Sequence, residues 1–227
     1  WQSDVDWLTL TGDESVAFAY VKGGEGTSRT KSAKIHMAGA ADAGLLTGLY
    51  FFGRPDTHAD MGFADATSEA KASAKTWREM DALHGVAMGP ILDVERGRWK
   101  GKDQKPNSNT RHKYNAEWVL EWLRPAHEET GPLPWIYTAR WAFNAYLKRA
   151  PAAVVKALTR YPLILADYDG NPEDEVAPWP FWCIWQDSGS ATMAGVPGKV
   201  DTNWMRQDVY IALLRGSFDT EYREQVP

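Results

Sequence analysis

Short apolar runs alternate with stretches of helical spacing along the whole chain, and this alternation limits the fold more than any other feature. Val16–Val21, Leu45–Phe52, Met88–Val94, Leu133–Thr138, Pro162–Ala166, Phe181–Gln186 and Lys199–Asn203 read as strands. Helices are expected over about 32–43, 68–83, 114–130, 139–149, 152–158 and 208–214, with Gly85 and Gly131 as stops and Pro125 bending or breaking its helix. Runs such as Val16–Val21 lack polar alternation, as strands of a sheet buried on both faces do. Repeated βα units build a parallel sheet with helices outside it. Seven such runs fall one short of a closed eight-stranded barrel, in which functional residues gather at the C-terminal ends of strands.

Polar residues occupy those ends. Glu25 follows the first run, Arg54 the second, and Asp93 and Glu95 close the third, while Tyr137, Asp167, Gln186 and Asp201 end later ones. In Pro90–Glu95 the two acids stand at i and i+2, so on a strand they share a face with Val94 opposite. Two buried carboxylates are costly unless paired or used. Close carboxylates also push their pKa values apart, which leaves one as an acid near neutrality and one as an anion. Spacing alone leaves open a structural ion pair with Arg54, Arg96 or Arg98.

Composition removes several function classes. With 44% hydrophobic and 24% charged residues the 227-residue chain is an ordinary globular sequence, sized for one α/β domain. A net charge of -5 without a Lys/Arg cluster argues against nucleic acid. The single cysteine, Cys183, excludes an intrachain disulfide and a multi-cysteine zinc site, and no histidine spacing suggests a metal. Gly23–Gly26 lacks the Gly-Lys-Ser/Thr ending of a phosphate loop, and Ser188-Gly189-Ser190 lacks a nucleophile-elbow context. No apolar segment approaches the roughly 20 residues of a membrane span, and Trp1–Asp4 has no signal-peptide character. Residues 96–105 form a basic loop, read as solvated, with contact to an anionic cell wall as the alternative. Twelve Trp and nine Tyr suit either sugar stacking or a large core.

A set of short motifs adds a resemblance. Trp1-Gln2 is followed by Asp6-Trp7, Phe18–Lys22 with Glu25-Gly26, Gly48–Phe52 with Arg54-Pro55, and Leu92–Glu95. Then come Pro134–Thr138, Tyr161–Leu163 with Ala166 and Tyr168, Trp185-Gln186 with Ser188, and Val196–Gly198 with Val200-Asp201 and Asn203. In this order, over residues 1 to about 205, the chain resembles the glycoside hydrolase family 25 lysozymes, the Chalaropsis-type muramidases of phage endolysins and secreted bacterial enzymes.

The resemblance implies an α/β fold, a TIM-like (β/α) barrel with eight strands and fewer than eight helices, over 1–205, with a C-terminal helical tail over 206–227. It implies cleavage of the β-1,4 bond between N-acetylmuramic acid and N-acetylglucosamine in bacterial peptidoglycan, at the cell wall, by a secreted or phage-delivered protein. Glu95 matches the family's general acid/base, Asp93 the carboxylate that stabilises an intermediate formed by the substrate's N-acetyl group, and Asp201 the late acid. Glu25, Tyr50, Arg54, Tyr137, Asp167, Trp185 and Gln186 are the expected substrate-binding residues. No metal or cofactor is implied.

There are two departures. The family's first strand carries an Asp-x-Ser motif ahead of the Trp-Gln pair, so the natural protein is expected to hold residues before Trp1 that complete that strand, a larger phage protein included. Asp4 and Asp6 do not substitute, because Asp6-Trp7 matches a downstream pair of its own. Phe51 stands where His is usual and Ile164 where Trp is frequent, which is expected to alter sugar contacts. The rival from another class is a non-catalytic wall-binding or virion structural domain retaining the barrel. A chitinase-like hydrolase is weaker, since the long Asp-rich strand motif is absent.

Overall fold

All seven apolar runs form strands in the computed structural model, whose described residues are 4–13, 15–55, 64–95, 109–169 and 176–226. They are β1 (Phe18–Glu25), β3 (Leu46–Phe52), β4 (Ile91–Val94), β5 (Trp135–Ala139), β6 (Leu163–Ala166), β7 (Ile184–Ala191) and β8 (Val200–Met205). An eighth, β2 (Ser28–Arg29), folds back on β1 through Gly26, whose φ of 56° suits glycine. The sheet order is β2-β1-β3-β4-β5-β6-β7-β8. From β1 to β7 all pairings are parallel, while β2 and β8 are antiparallel to their neighbours.

The fold is thus α/β, and among the described residues the TIM-like barrel implied by the resemblance takes the coarser form of an open, curled eight-stranded sheet, a half-barrel. The connection from β7 to β8 is a hairpin of 192–199 and leaves no room for a crossover helix. So β8 reverses direction and, like β2, ends the sheet.

Helices cover the convex side. They are α1 (Trp7–Thr11), α2 (Ala33–Asp42), α3 (Ala64–His84), α4 (Asn109–Thr130), α5 (Arg140–Ala142) running into a π turn (Phe143–Leu147), and α6 (Ala152–Leu158). Then α7 (Gln207–Arg215) and α8 (Phe218–Gln225) complete the chain. Asp6 caps α1, its carboxylate accepting from the backbone N–H of Thr9 at 3.0 Å and from the Thr9 hydroxyl at 2.7 Å. Of the bend or break expected at Pro125 there is no break, since α4 runs through it. A proline removes one intrahelical donor, and the buried Trp122, Leu123 and Ala126 around it hold the helix against the sheet. Among the described residues no helix is long and apolar enough to cross a membrane.

The core lies between the sheet's convex face and these helices. Leu92 and Ile136 pack there with Trp77, Met80, Trp118 and Trp122. Where β4 begins, a Cβ on Gly89 would fall 2.0 Å from the carbonyl oxygen of Leu133, so only glycine lets the two chains pass. Residues 207–225 close the base. Phe218 stacks on Trp135 with centroids 4.7 Å apart, and the buried Tyr222 hydroxyl donates to the carbonyls of Thr159 and Tyr161 at 3.0 and 2.9 Å. His127 bridges Pro132 and Arg223 and is structural.

Candidate active site

Residues in register on neighbouring parallel strands share a face. Asp93 stands in register with Phe52 and Tyr137, and Lys22 with Tyr50, so these side chains line the concave side. Tyr20, two residues before Lys22, joins them, as do Gln186 and Asn203, partners across β7 and β8. The concave face near the C-terminal ends of the parallel strands is thus polar, although the strands are apolar overall.

Three carboxyls converge there. Asp93 is 7% exposed, and its Oδ1 has no hydrogen-bond partner among the described residues. Burial lifts its carboxyl well above the usual carboxylate range; the charge of Glu95 adds to this, Lys22 opposes it, and Asp201 and Glu25 add further. Glu95, half-buried just past β4, is raised by burial and then by Asp201. Asp201, at the rim, is raised by burial and held down in part by a hydrogen bond from Gln186. Asp93 and Glu95, on and just past β4, both feel the charge of Asp201 on β8 across the cleft.

Gln186 organises the floor. Its Oε1 accepts from the hydroxyls of Tyr137 at 2.5 Å and Tyr168 at 3.3 Å, while its side chain bonds Asp201. Burial raises the phenols of Tyr50 and Tyr137, and Asp93 is the largest charged contributor to both, so both remain neutral donors. The ring of Tyr168 is exposed above them. A Cβ on Gly189 would meet the Tyr168 hydroxyl at 2.9 Å, so glycine keeps that space open.

Two ion-pair groups frame the mouth. Glu25 accepts from Lys22 Nζ at 2.8 Å and from Arg54 Nε at 2.7 Å, with Arg54 Nη2 also on the same oxygen as Nε. The Lys22 hydrogen bond, and after burial's opposing effect that of Arg54, lower the Glu25 carboxyl. Both cations also lie over the ring of Phe52, Lys22 at 5.6 Å and Arg54 at 5.0 Å. Asp167 receives Nε and Nη2 of Arg140 at 2.9 and 2.7 Å. Arg54 therefore serves Glu25 and is not the ion-pair partner considered for Asp93 and Glu95. Arg96, Arg98 and the basic loop 96–105 lie outside the described residues.

The structure thus brings together Asp93, Glu95, Asp201, Tyr50, Tyr137 and Gln186, with Glu25 and Arg54 at the rim. It does not bring Trp185 into the cleft. Trp185 is in register with Leu165 and Trp204, on the face opposite Gln186, and its Nε1 donates to the carbonyl of Asp167 at 2.8 Å. Asp167 is likewise engaged, with Arg140. Phe51 and Ile164, expected to alter sugar contacts, are both buried, Ile164 in register with Tyr137. Phe51 is 2% exposed on the face opposite Asp93, its ring filling the space above Gly23, and Ile164 is fully buried. Sequence reading missed Tyr20, Lys22, Tyr168 and Asn203 as site residues. The i, i+2 rule that singled out Asp93 and Glu95 would have found three of them, since Tyr20 precedes Lys22 by two and Asn203 follows Asp201 by two. Among the described residues no group of three or more His, Cys, Asp or Glu side chains is arranged to hold a metal ion.

The chain is similar to several known proteins. The chain is 25% identical over 209 residues to Lysozyme M1 of Streptomyces globisporus, an alignment covering 89% of the chain and 64% of that protein's length. Its fold matches the bacterial lysozyme from Streptomyces coelicolor with a TM-score of 0.69 at 20% identity, over 96% of this chain and 94% of that one. It also matches the catalytic domain of the endolysin ply40 from a bacteriophage of Listeria monocytogenes, with a TM-score of 0.69 at 18% identity, over 94% and 92% of the two chains. The profile of the glycosyl hydrolases family 25 matches residues 1–196, a span that holds Asp93 and Glu95 and stops just short of Asp201. On that match over most of its length, the chain belongs to glycosyl hydrolase family 25.

Proposed function

We propose that the protein is a peptidoglycan hydrolase, an N-acetylmuramidase that cleaves the β-1,4 bond between N-acetylmuramic acid and N-acetylglucosamine. The observation that carries this reading is the convergence of Asp93, Glu95 and Asp201 on one tyrosine-walled cleft. Asp93 is buried with an oxygen that has no partner among the described residues, a cost to the fold that is hard to account for in a domain that only binds.

Glu95 acts as the acid. Half-buried and raised, it keeps a proton toward neutrality and gives it to the glycosidic oxygen as the bond to the anomeric carbon breaks. Asp93 and Glu95 titrate as a coupled pair, and one proton between them suffices for this step. The substrate's own N-acetyl oxygen then closes on the anomeric carbon, and positive charge spreads over the ring so formed. That charge, arriving beside Asp93, favours its ionised form and is stabilised by it. Water opens the ring and returns a proton to Glu95. Substrate assistance of this kind is a recognised exception to the two-carboxylate scheme. Asp201 adds to the negative potential of the cleft, Tyr50 and Tyr137 line the sugar walls, and Glu25 with Arg54 shapes the rim.

The likeness to a phage endolysin supports action at the bacterial wall after delivery by a phage, and the Streptomyces lysozymes fit a secreted enzyme equally well. Clearing of a cell-wall suspension tests the assignment of the acid. Glu95→Gln is expected to slow clearing by about a thousandfold. Clearing at the wild-type rate would remove Glu95 from the role.

A further inference from the structure

Asp201 sits where the sheet is least regular. In the β7–β8 pairing Ser188 stands opposite Thr202 and Ala191 opposite Val200, with register shifts on both sides of Ser188, so Asp201 itself has no partner in register. β8 is also an edge strand, with neighbouring backbone on one side alone. A bulged edge is poorly fixed by its ladder, and side chains must supply the remaining restraint. Gln186 supplies one, from the β7 side.

The other comes from across the cleft. The Tyr20 hydroxyl on β1 donates to Asn203 Oδ1 on β8, although the residues are 183 positions apart and their strands are not neighbours in the sheet. Tyr20 is well placed for this. Its ring lies against Phe18 with centroids 6.3 Å apart and meets Tyr50 edge-on at 6.2 Å, so few orientations remain to it. Asn203 follows Asp201 by two residues and shares its face.

We propose that Tyr20 and Asn203 are positioning residues whose hydrogen bond clasps β8 to β1 across the open side of the curled sheet and holds Asp201 facing Asp93 and Glu95. Burial, then Asp201, Tyr50 and Asp93, keep the Tyr20 phenol neutral, so it remains a donor. The positioning role rests on the muramidase reading, whereas the clasp itself is a property of the fold.

The test compares wild type with Tyr20→Phe and with Tyr20→Phe/Asn203→Leu, in two ways. Steady-state kinetics on soluble glycan fragments report positioning, and amide hydrogen exchange over residues 200–205 reports the clasp without any need for turnover. For Tyr20→Phe, kcat is expected to fall about tenfold with KM within about twofold, because misplacement by a fraction of an ångström affects the reacting geometry more than binding. Exchange over 200–205 is expected to quicken about tenfold. In the double variant no buried acceptor lacks its donor, so thermal stability is expected to recover while kcat stays low. Unchanged kcat and exchange in Tyr20→Phe would overturn the proposal, as would kcat recovering together with stability in the double variant. If wild type releases no reducing ends, the muramidase reading fails, and the exchange rates alone decide the clasp.

Discussion

Asp93 shows most plainly how a residue can serve function against stability. Its carboxyl is buried, has no partner on Oδ1 among the described residues and is lifted well above the ordinary range by that burial. A group whose folded pKa is raised gives its full stability below the unfolded pKa and loses it as pH rises through the folded value. The wild-type fold therefore bears its penalty at neutral pH and none in strong acid. Asp93→Asn is expected to melt higher than wild type at about pH 7, by roughly 2–4 °C per kcal/mol relieved, with the gain vanishing near about pH 3. The same substitution is expected to lower kcat by about a hundredfold or more. Calorimetry at the two pH values with a rate assay checks both halves, and a uniform shift in melting temperature at both would contradict the ionisation argument. The pairing of acids at i and i+2 was legible in the chain, because strand geometry alone puts them on one face. Which cation each acid meets was not legible, since Arg54 reaches Glu25 through the β1–β3 pairing and the turn after it.

Elements buried on both faces announce themselves, and elements at edges do not. β4 and β6 are buried at every position and were legible as apolar runs. β2 was invisible, being Ser28 and Arg29, both exposed and held by the turn at Gly26. The direction of β8 was equally hidden, because it depends on a hairpin of 192–199 and not on any residue of the strand. α8 carries its docking face in Phe218 and Tyr222 alone, too few for a periodic signal. Two substitutions examine these joints. Gly89→Ala drives a Cβ onto the backbone oxygen of Leu133 and is expected to cost about 3 kcal/mol in urea unfolding. Tyr222→Phe takes the buried hydroxyl from the carbonyl of Thr159, while that of Tyr161 keeps the indole N–H of Trp179, and is expected to cost about 1–2 kcal/mol. A loss below about 0.5 kcal/mol in either case would mean that the joint relaxes freely.

In the molecule as a whole, a half-barrel places β1 and β8 on either side of a cleft, and the proposed chemistry draws on both. β4 contributes Asp93 and, just beyond it, Glu95; β8 contributes Asp201; and Gln186 and the Tyr20–Asn203 bond tie the two sides together. Base and mouth are separated, with α7 and α8 sealing the one and the ion pairs of Glu25 and Asp167 framing the other. Cleavage on the reducing side of N-acetylmuramic acid is the reaction proposed for this cleft. Its most direct measurement is the sugar at the new reducing end after digestion of purified peptidoglycan and borohydride reduction. Muramitol is the expected product, formed by wild type and lost in Glu95→Gln. Glucosaminitol as the product, or no new reducing end from wild type, would contradict it.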